Sequence, residues 1–129
     1  MKANFIHGIV AGILSAIAGI VYLKLYQDLN FVDFSLVISI GAIIGSSLIG
    51  CLLMTLGYVS LDKLKKPNLK GVLNLLIMIL SFLSILGPIM MTLPLEVDFP
   101  ELFPGLVIPM HFFPAMIFFG IAPFFKSDN

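Results

Sequence analysis

The one ionisable side chain set deep inside an apolar stretch is His111, and it stands between Pro109 and Pro114. A proline has no N–H, so within a helix these two leave the carbonyls of Gly105 and Met110 without their usual donors. An imidazole beside freed carbonyls can relay protons, or bind a cation together with Gly105 and Met110, and a buried ionisable group of this kind is by default a functional candidate. The alternative is a neutral ring that donates one hydrogen bond to a serine or carbonyl on the preceding helix and locks the bundle. Met90, Met91, Met110 and Met116 fall near His111, and thioethers with imidazole suit copper. Their spacing is not specific and methionine is common apolar filler, so no metal or other cofactor is expected. A haem ligand at His111 lacks an evident second axial partner, and quinone or lipid binding has no motif.

Other reactive groups are few. Cys51 is the single thiol and reads as a small apolar packing residue. His7, close to the amino terminus, reads as an interfacial residue near headgroups. No carboxylate lies in the apolar stretches and no serine has a base at a recognisable spacing, so an enzyme is not expected. Asp28, Asp33, Glu96, Asp98 and Glu101 could form an acidic vestibule before a pore, or simply be acids kept where water is. Lys63, Lys65, Lys66 and Lys70 could meet anionic lipid or a partner, and they serve equally as a topology signal.

These groups must be held by helices that water does not suit. Charged residues make up only 11% of the 129 residues, against about a quarter in soluble domains. The charges are gathered at Lys2, at 24–33, at 62–70, at 96–101 and at the carboxyl end. Between them run the charge-free windows 3–23, 34–61, 71–95 and 102–125. Each reaches the roughly 20 apolar residues that a helix needs to cross a bilayer core. The expectation is a single all-α membrane domain over 1–129, with four transmembrane helices at about 5–26, 34–58, 71–93 and 102–125 arranged as two antiparallel hairpins. Ala16-Ile17-Ala18 has the form of a signal-peptide cleavage site, but the apolar run continues to Leu23, so the segment is expected to stay as a helix.

Lysine placement orients the four spans. With the central turn inside, Lys2, Lys63, Lys65, Lys66, Lys70 and Lys126 lie on one side and Lys24 alone on the other. That bias predicts a multi-pass protein of the cell inner membrane with both termini cytoplasmic. A basic face for nucleic acid is absent.

Small residues predict how the helices meet. Gly8, Gly12, Ala16 and Gly19 line one face of the first helix, and Gly41, Gly45, Ser46 and Gly50 repeat the pattern in the second. Such faces allow close backbone approach, either between the two helices of a hairpin or between subunits. Gly87-Pro88 predicts a kink near the end of the third helix, since Pro88 cannot donate to Ser84. The alternation Leu95-Glu96-Val97-Asp98-Phe99 predicts an extended strap along the interface.

The leading functional expectation is an accessory or assembly subunit, packed in the lipid bilayer into a homo-oligomer or with other membrane subunits. The competing one is a small oligomeric channel or transporter for protons, cations or small solutes that uses the proline-broken fourth helix and His111.

Overall fold

The computed structural model describes residues 2–125. Lys126, assigned by the charge bias to the cytoplasmic side, lies outside them. Five α-helices run in order: α1 Lys2–Asn30, α2 Ile40–Lys63, α3 Lys70–Ser84, α4 Leu86–Met90 and α5 Phe103–Ile121. Short 3-10 turns sit at Pro67–Leu69, Pro100–Leu102 and Ala122–Phe125. Among the described residues there is no strand, and four helical stretches are long and apolar enough to span a membrane: Lys2–Asn30, Ile40–Lys63, Pro67–Met90 and Pro100–Phe125.

The first helix is longer than the sequence predicts because of how it ends. Phe31 takes a left-handed backbone with φ of 56°, and the Val32 N–H turns back onto the Gln27 carbonyl at 3.1 Å. That is a Schellman closure, usually built on glycine. A second one ends α2, with Lys65 at φ 53° and the Lys66 N–H on the Leu61 carbonyl at 3.0 Å.

The second helix starts at Ile40 instead of Phe34. Ser39 caps it, its Oγ accepting the Ala42 N–H at 3.1 Å. Asp33 meanwhile holds the Ser35 N–H at 2.8 Å, which bends residues 33–35 away from helix. Phe34 is thereby freed to plug the interior, fully buried and edge-on to Phe103 with ring centroids 5.4 Å apart.

Two clusters divide the core. One, at the end carrying the acidic loops, gathers Leu23, Phe34, Ile43, Val97, Phe103 and Leu106. The other lies towards the lysine-rich turn and gathers Ala11, Cys51, Met54, Ile77, Ala115 and Phe118. The expected strap at 94–101 is instead a turn, closed by the Val97 N–H on the Pro94 carbonyl at 3.1 Å. It sends Val97 into the core and leaves Leu95 and Phe99 exposed.

Packing is unequal. α1 packs mainly on α2 and then on α5, whereas α3 touches α2 and α5 only lightly. Of the most apolar 18 residues in the 67–90 stretch 6% are buried, against 44% in α1. The break at Ile85, between α3 and α4, falls one residue after Ser84, whose carbonyl Pro88 cannot reach. Both described chain ends meet the lysine-rich turn's end of the bundle: Asn4 donates to Asp62 at 2.8 Å, and Phe125 stacks on His7 at 5.0 Å.

Candidate functional site

Helix α5 is held by side chains of α1. The Tyr22 hydroxyl donates to the Gly105 carbonyl at 2.8 Å, and the Tyr26 hydroxyl to the Leu102 carbonyl at 2.7 Å. At the other end His7 Nε2 donates to the Phe118 carbonyl at 2.7 Å. That carbonyl is free because the chain tightens there, with the Ala122 N–H bonding Phe119 instead. His7 is not the headgroup-facing residue expected: it is 4% exposed and lies against the Phe118 ring at 4.1 Å. Cys51 is buried as expected and its thiol points to the Pro114 carbonyl at 3.8 Å.

The Gly105 carbonyl thus already accepts one donor, and its Cα faces the Tyr26 hydroxyl. No side chain among the described residues reaches the Met110 carbonyl. His111 donates from Nδ1 to the Val107 carbonyl at 2.7 Å, within its own helix. The expected lock onto the third helix does not form.

His111 instead forms part of the wall of a crevice of about 610 Å³. The crevice exists because α3 is tied to α2 at the lysine end and stands off elsewhere. The ties are the Lys70–Asp62 ion pair at 2.8 Å, the hydrogen bond from Tyr58 to Asn74 and the Leu73 side chain over Gly57. Away from these, α3 meets α5 through Phe82 against Phe112 at 4.9 Å. The walls run from Val37 through the start of α2 to Met54, from Ile77 on α3 through α4 to Met91 just beyond it, and from Phe103 to Ala115 on α5, with Ser15 and Gly19 of α1 behind them. At the lysine end it stops on Met54, Ile77 and Ala115, which pack with Phe118, Tyr58 and Leu73.

Of the residues singled out from sequence, His111, Met110, Pro114, Ser46, Gly50 and Gly19 line this crevice, while Pro109 and Gly105 do not. The methionine quartet is not assembled, since Met90 is 79% and Met116 62% exposed. Ser81 and Ser84 line it too; their spacing along one face of α3 was the available signal. Gly8, Gly12 and Ala16 form the seam with α2, where Gly8 meets Thr55 and Gly12 meets Leu48. Gly41 and Gly45 do not take part in that seam: nothing lies within 4 Å of a Cβ built on Gly45.

The acidic residues are elsewhere. Asp28, Asp33 and Asp98 line a separate cleft at the loop end that shares no residue with the crevice. The Ser35 N–H holds the Asp33 carboxyl below the usual carboxylate range. Lys63, Lys65 and Lys66 are exposed and make no ion pair among the described residues. No family model, curated protein or solved structure matches this chain.

Proposed function

We propose that the chain is a multi-pass membrane protein, crossing a cell inner membrane four times with both ends and the lysine-rich turn on the cytoplasmic side. Its work is that of a non-catalytic membrane component, which binds a small ligand or partner subunits instead of transforming a substrate. The observation that carries this is the blind crevice beside His111. The last nine residues of α2 lie beyond its end at Met54, about 14 Å of packed helix at 1.5 Å per residue. A path for solutes through one copy would have to open that seal, whereas a binding site needs none.

Support for assembly comes from α2 and α3. The open Gly41 and Gly45 face of α2 suits close approach by another helix, and most large apolar side chains of α3, among them Leu75, Leu80 and Phe82, are left exposed by the chain itself. A homo-oligomer or a larger membrane complex would cover both.

Native mass spectrometry of protein extracted in mild detergent tests the reading. An oligomer, a partner subunit or a retained small molecule is expected. A bare monomer, combined with proteoliposome proton or cation flux that His111→Ala abolishes, would overturn it in favour of the transport reading.

A further inference from the structure

Four of the polar groups around the crevice share one property. Ser46 donates to the Ile43 carbonyl at 3.2 Å, Ser81 to Ile77 at 2.9 Å and Ser84 to Ser81 at 2.7 Å. His111 does the same from Nδ1 to Val107. Each of these four has thus committed a donor to its own helix and keeps lone pairs, while Ser15 donates across the α1–α2 seam to Ser47 at 3.4 Å. A carbonyl only accepts, so the Nδ1 bond requires the proton on Nδ1 and leaves Nε2 of the neutral ring an acceptor. No protein group among the described residues bonds Nε2, and no side-chain nitrogen is both buried and unpartnered. The free edge of the imidazole is therefore accessible, on a residue that lines a mainly apolar cavity.

This arrangement selects a ligand. An ammonium would find no carboxylate, because none lines the crevice. A carboxylate or phosphate needs donors and positive charge: no lysine lines the crevice, and Ser47, whose hydroxyl accepts from Ser15, is buried in the α1–α2 seam. Ethers, ketones and bare hydrocarbon chains would leave Nε2 without a partner, which costs binding free energy in a dry site. What fits is a neutral apolar molecule with a hydroxyl. A cavity of about 610 Å³ lies within the roughly 300–1,000 Å³ typical of small-molecule sites, so a free single-chain alcohol or a phenol fits better than a two-chain lipid.

We propose that this crevice is a binding site for a lipophilic alcohol or phenol, whose O–H donates to Nε2 of His111 while its apolar body lies between α3 and the other helices. The inference deepens the membrane-component reading and rests on it, since the bilayer is what keeps water from competing for Nε2.

The test compares ligands that differ only by the donor: 1-naphthol against 1-methoxynaphthalene, and dodecanol against its methyl ether. Binding is measured on the full chain in phosphatidylcholine nanodiscs, with empty discs subtracted for partitioning. The alcohols are expected to bind about tenfold more tightly than the ethers. His111→Phe should reduce that preference to about one, and His111→Gln, which keeps an acceptor, should retain most of it. Equal binding of alcohol and ether to the unaltered chain would overturn the proposal. So would a preference that survives His111→Phe, stronger binding of laurate than of dodecanol, or binding of two-chain hydroxyl lipids alone. The unaltered-chain comparison needs no variant to fold. A chain that fails to stay with the membrane fraction would defeat the membrane reading, whereas an inserted chain without hydroxyl preference defeats only the ligand assignment.

Discussion

The Tyr22 hydroxyl lies 2.8 Å from the Gly105 carbonyl, the carbonyl that Pro109 leaves without a helical donor four residues on. One side chain of α1 thus repairs a defect that a proline makes in α5. The repair supplies the donor missing at Pro109 in a helix that also holds Pro114. It also fixes what faces the crevice: with Gly105 turned to Tyr26, the next turn presents Val107, Met110 and His111 to the cavity.

Tyr22→Phe should therefore destabilise the fold by about 0.6 kcal/mol, the average for hydrogen bonds between membrane helices, and by no more than about 1.7 kcal/mol. Pro109→Ala returns an N–H to Gly105, so in the Tyr22→Phe background it should recover most of the loss. Unfolding in mixed micelles gives the four stabilities of that double-mutant cycle. Additive effects would show that the hydroxyl does not serve the carbonyl freed by the proline.

The glycines of α1 and α2 make an asymmetric prediction. A side chain at Gly12 would meet Leu48 at 2.8 Å from its first carbon, and crowding of a packed seam costs about 1–3 kcal/mol. Gly45 has open space around it. Gly12→Val should lower the unfolding midpoint of the isolated protein clearly, while Gly45→Val leaves it unchanged. Where Gly45→Val instead disrupts an oligomer on native gels, the open face is the one that meets another copy.

Much of the architecture was legible because lipid tolerates so few charges: the gaps between charge clusters mark the four long helices. Pro88 likewise announced the break beside Ser84. What the pattern concealed was partnership. Gly8 and Gly45 sit in similar small-residue repeats, yet only Gly8 is in the seam, because which face meets a neighbour depends on helix rotation that a uniformly apolar sequence does not encode. His7 was hidden for a related reason: its acceptor, the Phe118 carbonyl, is 111 residues away and becomes free only where α5 tightens. Helix ends were concealed where Phe31 and Lys65 occupy positions that glycine usually marks.

Phe31 offers a direct test of that last point. Left-handed backbone costs a residue with a Cβ roughly 1–2 kcal/mol, and the Phe31 side chain is 92% exposed, so it contributes little packing in return. Glycine removes the strain but adds about 0.5–1 kcal/mol of backbone entropy to be lost on folding. Phe31→Gly should therefore raise stability slightly, and Phe31→Val, branched at Cβ, should lower it. Thermal unfolding of the three proteins under one detergent condition checks the order.

Lysine placement should control orientation. Lys63, Lys65 and Lys66 are free of ion pairs among the described residues, unlike Lys70, which is held by Asp62 at 2.8 Å. Replacing these three by glutamine while placing three lysines at Glu96, Asp98 and Glu101 moves the positive charge to the opposite loops without touching the core. Positive charge in short loops next to the spans sets the side they occupy. A cysteine at Ser60 should be shielded from an impermeant maleimide added outside intact cells, and should become labelled in the charge-swapped protein. Ser60 lies one turn before the lysine-rich bend and is exposed, bonding only the Leu56 carbonyl at 2.7 Å, so its replacement leaves the helix intact. Labelling from outside in the unaltered charge background would place the bend on the far side and reverse the proposed topology.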